Sequence, residues 1–194
     1  RGRSCNLIKK FIFIYIIILL FLFNKTLLAN DKQKIIENIN NIKTLKFSFN
    51  QISHDKEETG KCFLKRPHFL KCVYKDKKQK QLIVNRNNLI IHHARYNKSY
   101  FYPAKMSYFL DILDNKKFED LILTGSITKK NNYFEIIFLD KNKGEIKLFF
   151  DINNFNLKGW EIINLTGGKT NFTLYDIFKN PEISKNLFEI PSAS

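Results

Sequence analysis

Apolar and polar residues alternate over most of the chain beyond residue 43, and this alternation indicates strands with one face in a core and the other in water. In the first such stretch, Leu45, Phe47 and Phe49 are the apolar positions. Similar patterns, separated by turn residues, occupy residues 60–74, 82–85, 89–93, 100–102, 125–129, 133–139, 145–151, 157–164 and 170–175. Because residues 60–74 contain two strands, the pattern predicts about ten or eleven short antiparallel strands.

Two parts of the chain have helical spacing instead. Ile35, Ile36, Ile39 and Ile42 recur at intervals of three and four residues, which predicts a helix before the first strand. Between residues 103 and 125 the helical positions are Met106, Phe109, Leu110 and Leu113, then Phe118 and Leu121. We therefore expect an antiparallel sheet curved around a core, with helices covering one opening. No low-complexity linker or repeat divides residues 30–194, which predicts one domain.

The first 29 residues have the composition of a secretory signal peptide. Basic residues from Arg1 to Lys10 precede an uninterrupted apolar run at 11–23, and Leu27-Leu28-Ala29 offers a cleavage point after Ala29. As a helix this run would be roughly 20 Å long, which is short for a hydrocarbon core of about 30 Å. An uncleaved anchor is the alternative. No cysteine stands at the cleavage point to carry a lipid, so we expect an unanchored periplasmic protein.

The stretch from Gly60 to Tyr74 reads as a hairpin. Its alternating residues stop on either side of Arg66-Pro67-His68, and Pro67 belongs in the turn because proline has no N–H for a ladder. Arg66 then lies at the end of an apolar sheet, where an exposed turn arginine is the ordinary interpretation.

Cys62 and Cys72 are the cysteines left after removal of residues 1–29. With a three-residue loop they would face each other across the hairpin, with Cβ atoms about 4.5–5.5 Å apart. That separation is close to disulfide range, and export would permit oxidation. The alternative is a pair of small buried apolar side chains, and a count of free thiols distinguishes the two.

The charge of the chain is strongly basic. The formal net charge is +15, and residues 30–194 keep +10 because the first 29 residues hold five Lys and Arg and no acid. Such an excess attracts anionic lipid surfaces or nucleic acids. An A/T-rich genome, which favours Lys, Asn, Ile, Phe and Tyr codons, explains part of it. No nucleic-acid motif accompanies the charge, so we expect no nucleic-acid partner.

Residues with catalytic or metal-binding spacing are missing from the sequence. The four histidines make no metal pattern, and His92 and His93 are adjacent in a strand, so that they would leave it on opposite faces. There is no phosphate-binding loop and no nucleophile elbow. We therefore predict no enzyme activity, no metal and no cofactor. What stands out is the nineteen Phe residues, many at strand positions. Phe47, Phe49, Phe63 and Leu64 are candidates for the walls of an apolar cavity, with a packed core as the alternative.

With these motifs in place, the chain resembles the outer-membrane lipoprotein carrier (LolA) family over most of residues 30–194. The resemblance rests on the first helix, the FSFNQ strand from Phe47, the Lys-Arg-Pro hairpin ending in Tyr74, Trp160, the Gly167-Gly168 turn and the terminal Phe188-x-x-Pro191. Two departures occur. Asparagines replace the usual glycine of the second hairpin, and Ala104-Lys105-Met106 replaces the usual Thr-Pro-Leu.

The resemblance implies an incomplete eleven-stranded antiparallel β-barrel with a short helical lid. Its apolar cavity would carry acyl chains of lipoproteins through the periplasm, from an inner-membrane release complex to an outer-membrane receptor. Arg66, with Pro67, would be the lid latch. The hairpin loop at Pro67, His68, Phe69 and Leu70 would lie where cargo is handed over, which adds Phe69 and Leu70 to the ligand-binding candidates. We expect a monomer.

A second function remains open on the same fold. The protein would then be a periplasmic lipid-binding or membrane-surface sensing protein that uses its basic charge. Binding that survives deacylation of the cargo and disappears in salt would identify this alternative, because salt screens charge but does not weaken hydrophobic burial.

Overall fold

The structure is a computed structural model that describes residues 30–54, 56–103 and 108–191. The predicted signal peptide, its cleavage point and Met106 lie outside the described residues. The chain divides into two compact units, residues 1–34 and 35–194, and the second unit contains the whole sheet.

Eleven antiparallel strands form one sheet in the order β6-β5-β4-β3-β2-β1-β11-β10-β9-β8-β7. Because β6 and β7 are its two ends and do not pair, the sheet is an unclosed barrel, as predicted. The strands are β1 Thr44–Ser53, β2 Lys56–Lys65, β3 Phe69–Tyr74, β4 Lys80–Asn85, β5 Asn88–His93, β6 Lys98–Pro103, β7 Ser126–Lys129, β8 Tyr133–Asp140, β9 Gly144–Asp151, β10 Leu157–Ile163 and β11 Lys169–Lys179.

Within the described part of the chain, three α-helices accompany the sheet: α1 at residues 30–40, α2 Phe109–Leu113 and α3 Asn115–Thr124. Asp114 caps α3, since its side chain accepts a hydrogen bond of 3.0 Å from the amide of Lys117. The apolar side of α3 is buried, as is the isoleucine stripe of α1 from Ile35 to Ile39. Both helices therefore contribute to the same core as the sheet.

The core lies on the face of the sheet that α1 and α3 cover. Strand alternation supplies it: Ile146, Leu148 and Phe150 of β9 are fully buried, while the residues between them are half-buried. The opposite face is partly covered by the C-terminal segment. There Phe188, in a 3₁₀ helix at Lys185–Phe188, is fully buried beside Phe69, with 5.5 Å between ring centroids.

The structure differs from the predicted elements in local detail. β1 and β11 are longer than predicted and pair as far as Ser53 with Thr170. In the turn between β4 and β5 the residue with positive φ is Arg86, at +56°, rather than one of its neighbouring asparagines. Gly125 was expected to start a strand, but it ends α3, where its amide donates to the carbonyl of Leu121.

Candidate functional site

A narrow, largely enclosed apolar cavity lies between the sheet and the helices. Its free volume is about 40 Å³. A water molecule needs roughly 10–15 Å³ by the same measure, so the cavity has room for a few waters and for no acyl chain. The lining residues come from the sheet, from α1 and its end, and from α2 and α3: Asn38, Ile39, Ile42, Leu45, Phe47, Leu64, Arg66, Leu70, Ile112, Leu113, Phe118, Leu157, Trp160 and Leu174.

Arg66 is the one ionisable residue of this lining. It follows β2 in the three-residue loop of the β2–β3 hairpin, and its peptide bond to Pro67 is cis. Its Nη1 donates to the Leu113 carbonyl at 3.2 Å and to Asn115 Oδ1 at 2.6 Å. Both acceptors lie at the junction of α2 and α3, so this side chain joins the hairpin loop to the helices over the cavity.

The guanidinium is held in an apolar setting. Its carbon atom lies 5.6 Å from the centroid of the Phe118 ring. Burial lowers the pKa of Arg66 to about 10, and the nearby Asp114 carboxylate partly opposes this effect. The Nε atom is buried and has no hydrogen-bond partner among the described residues. Arg66 therefore stays charged at neutral pH, but its contacts satisfy it only in part, which limits how strongly they hold the helices.

The helices are also fastened on their far side. Tyr108, just before α2, donates its hydroxyl to the Gly144 carbonyl at 2.7 Å. In the same place Asp111 of α2 pairs with Lys143. α2 is thus joined to the turn between β8 and β9, and the α2–α3 junction is joined to the β2–β3 loop through Arg66.

An aromatic row crosses the sheet below the cavity. Tyr74, Phe49, Phe172 and Trp160 contact one another in that order, with ring centroids 4.9, 4.6 and 4.5 Å apart. Gly60 pairs with both Phe49 and Tyr74, and its missing side chain lets these rings meet across β2. Beyond the row lies a wider opening of about 290 Å³, lined by Gln51, Tyr74, Lys80, Leu82, Ile91, Trp160, Ile162, Asn164, Gly168, Thr170 and Phe172.

The structure brings together some of the predicted site residues and separates others. Phe47, Leu64 and Leu70 line the apolar cavity, and Phe49 belongs to the aromatic row. Phe63 and Phe69 lie outside the lining, each half-buried; Phe63 alternates with the buried Cys62 and Leu64, and Phe69 packs on Phe188. These two positions are out of phase with the inward residues of their strands.

Further lining residues were not singled out from the sequence as cavity candidates. Leu157 and Trp160 lie on β10, and Leu174 lies on β11. In the sheet β11 pairs with β1 and β10 pairs with β11, although β10 and β11 are distant from β1 in sequence. Inward phase in the strand alternation is a signal that could have found Leu174, since Phe172 and Leu174 are both buried. Leu113 and Phe118 carried a helical signal, which predicts a buried face without saying what it covers, and Ile112 was not part of that signal.

Cys62 and Cys72 are opposite each other in the β2–β3 register and form a disulfide. The bond lies on the core face, two pairs further from the loop than Leu64 and Leu70. It therefore closes the hairpin that carries Arg66.

Among the described residues, no three His, Cys, Asp or Glu side chains are grouped so that they could hold a metal ion. Nor is any helix in that part of the chain long and apolar enough to cross a membrane. The structure thus has an apolar interior, a cation at the rim of this interior and helices over it. These are the features of a protein that binds or carries an apolar ligand.

Comparison with known proteins assigns the family. The model of one protein family, described as outer membrane lipoprotein carrier protein LolA, matches residues 40–191. No curated protein sequence matches the chain. The chain belongs to the LolA family, as the Lys-Arg-Pro hairpin and the other shared motifs indicated. Members of this family are carrier or binding proteins of the periplasm rather than enzymes.

Solved structures resemble the chain in fold. An uncharacterized conserved protein from Thermus thermophilus has 6% identity and a TM-score of 0.52, with 82% of this chain and 93% of that one covered. A DUF1329 family protein from Desulfovibrio piger also has 6% identity and a TM-score of 0.52, over 86% and 98%. A LolA superfamily protein from Nitrosomonas europaea has 9% identity and a TM-score of 0.43, over 81% and 97%.

Proposed function

We propose that this protein is a periplasmic carrier that binds the acyl chains of lipoproteins in its interior and takes them from the inner to the outer membrane. The observation that carries the proposal is the Arg66 contact with the α2–α3 junction, which lies at the rim of an apolar cavity too small to hold an acyl chain. Cargo could then enter only when the helices move away. In this role α2 and α3 form the lid, and Arg66 is its latch.

The free energies of acyl-chain burial and of the Arg66 hydrogen bonds are compatible with such opening and closing of the lid. Burying an acyl chain contributes about 0.8 kcal/mol per methylene, so a chain of about sixteen carbons gains roughly 12 kcal/mol gross on leaving water. Two charge-assisted hydrogen bonds from Arg66 are worth about 1.5–3 kcal/mol each. Cargo can therefore open the latch, while the tendency of the latch to close favours release.

The chain would act as a monomer, exported with a signal peptide that is cleaved after Ala29. It would receive cargo from an inner-membrane release complex and deliver it to an outer-membrane receptor. Family membership supports these partners. Phe47, Leu64 and Leu70 would contact the acyl chains directly, because they already line the apolar cavity. Phe49 would contact cargo as part of the aromatic row. Phe69, with Pro67 and His68, would lie at the surface where cargo is handed over.

Replacing Arg66 by Leu tests the latch. We expect Arg66→Leu to fold and to bind an acylated lipoprotein, but to transfer it to outer-membrane vesicles at least about a hundredfold more slowly, because both hydrogen bonds that favour closing are lost. The measurement is the rate at which labelled lipoprotein moves from the purified carrier to the vesicles. Lys129→Leu, which removes an exposed cation from β7, is the matched control and should transfer at the native rate.

Transfer by Arg66→Leu at the native rate would show that Arg66 is not a latch. Deacylated cargo extends the test to the carrier function itself. If it binds as well as acylated cargo and salt abolishes the binding, the protein is instead a charge-dependent surface-binding protein, because hydrophobic burial is not screened.

A further inference from the structure

The β4–β6 end of the sheet is rich in basic residues, and two carboxylates border it: Asp76 in the β3–β4 turn, and Glu58 of β2, which pairs with Lys80. From residue 77 to residue 103 the chain has six Lys and Arg residues and no Asp or Glu. By contrast, residues 126–151, which form the other end from β7 to β9, hold five basic and four acidic residues. The excess positive charge is therefore concentrated at one edge of the sheet rather than spread evenly over the molecule.

Backbone contacts bring the basic residues of this edge together. The turn between β3 and β4 touches the 3₁₀ turn between β5 and β6, because the Arg95 amide donates to the Lys78 carbonyl at 3.4 Å. Arg95 also reaches the Lys77 carbonyl through Nη1 at 3.4 Å. Lys77, Lys78, Arg95 and Lys98 are all exposed. They form one cationic ledge at the start of β6.

Next to this ledge, β6 exposes a run of aromatic side chains. Tyr100, Phe101 and Tyr102 are 49%, 61% and 47% exposed, and Tyr96 before the strand is 55% exposed. β6 pairs with β5 on one side, and no described strand pairs with its other side. We call the four aromatics together with Lys77, Lys78, Arg95 and Lys98 the β6 edge.

We propose that the β6 edge docks the protein on a bilayer that contains anionic phospholipids. Tyr and Phe rings with Lys and Arg beside them are the side chains that settle at a membrane–water interface and meet anionic headgroups. This surface lies outside the interior cavity, so the inference goes beyond the carrier function and stands without it.

The alternation of the strand favours a bilayer over an acidic protein. Successive side chains of β6 leave on opposite faces, so Phe101 points away from Tyr100 and Tyr102. A protein partner resting on one face would cover only part of the run, whereas fluid headgroups can surround both faces of an edge. Pro103 at the end of the strand also lacks the N–H that a further paired strand would use there.

Vesicle binding tests the inference on the full chain without any lipoprotein present. We expect cosedimentation with phosphatidylethanolamine vesicles that contain phosphatidylglycerol, weaker binding without phosphatidylglycerol, and weakening by salt. Lys77→Gln with Lys78→Gln should reduce the partition coefficient about fivefold for each lysine. Phe101→Thr with Tyr102→Thr should reduce it about tenfold, because these rings leave water on docking.

Two matched variants control for general effects of charge and apolar surface. Lys129→Gln with Lys130→Gln removes two exposed cations at the other end of the sheet, and Tyr175→Thr with Phe178→Thr removes two exposed rings from β11. Both should bind vesicles like the native protein. Equal losses in these controls, or no binding to anionic vesicles, would overturn the proposal. Retention on an immobilised poly-glutamate peptide without vesicle binding would also overturn it, in favour of an acidic protein partner.

Discussion

At the scale of single residues, the interior depends on a position with no side chain. A Cβ at Gly60 would lie 2.2 Å from the Val73 carbonyl oxygen and 2.7 Å from Cε1 of Phe49. The first neighbour is backbone and cannot turn aside. Gly60 therefore maintains both the pairing of β2 with β3 and the contact of Phe49 with Tyr74.

We expect Gly60→Ala to lower the free energy of unfolding by about 1–3 kcal/mol, the usual cost of overpacking a filled site. Urea titration measures it. Lys61→Ala, the next position on the same strand, removes an exposed side chain and should change the free energy by no more than about 0.5 kcal/mol. A Gly60→Ala protein as stable as the native one would show that the aromatic row and the neighbouring backbone can accommodate a methyl group at this position.

How far the site was predictable also becomes clear at this scale. Phe47 and Leu64 could be placed toward the interior because strand alternation decides the facing of each residue. The same rule, applied against Cys62 and Leu64, would have turned Phe63 outward. The place of Phe49 in the aromatic row was beyond reach, since it depends on Gly60 and Phe172 of two neighbouring strands. Arg66 could be placed in the loop from Pro67, but its acceptors lie about fifty residues further along the chain.

At the scale of elements, the β2–β3 hairpin combines Arg66, the proposed latch, in its loop with a disulfide behind it. Most strands were predictable because each has its own alternation and turn residues. Their ends were less so: β1 runs on to Ser53 because β2 and β11 both continue to pair with it. The arrangement of neighbouring strands, not the local pattern, determined these lengths.

The disulfide of this hairpin leads to a chemical and a thermodynamic prediction. Alkylation of the unreduced, denatured protein should leave Cys62 and Cys72 unmodified. A bridge that closes about ten residues should contribute roughly 2–3 kcal/mol by restricting the unfolded chain, so reductant should lower the urea midpoint of the native protein. A Cys62→Ala, Cys72→Ala variant should be insensitive to reductant. Alkylation of both residues without reductant would mean that they are merely buried neighbours.

At the scale of the whole molecule, two surfaces with different chemistry lie on one sheet. The interior is apolar and lies under the helices that Arg66 contacts, while the β6 edge is exposed, basic and aromatic. The first suits lipid tails and the second suits lipid headgroups. A carrier with both could rest on a bilayer without exposing its interior.

Native mass spectrometry of the protein purified from its own envelope tests the proposed state of the whole molecule. We expect one copy of a chain that begins at Asn30, with one acylated lipoprotein bound in a fraction of the molecules, because hydrophobic burial of the acyl chains survives purification without detergent. Arg66→Leu should retain bound lipoprotein in a larger fraction, whereas Lys129→Leu should match the native protein. A mass that includes residues 1–29 would contradict cleavage, and absence of lipid from both native and Arg66→Leu protein would contradict the carrier function.

The free ends of the sheet have a mechanical consequence. In a closed barrel, widening the interior would require breaking a whole row of backbone hydrogen bonds, or shearing every strand pair at once. Here β6 and β7 share no such row, so the sheet can flatten by small changes of twist spread over its ten strand pairs, each of which keeps its ladder intact. The girth of the interior can then follow the bulk of what it holds, and a carrier of the proposed kind would accept lipoproteins with different numbers of acyl chains.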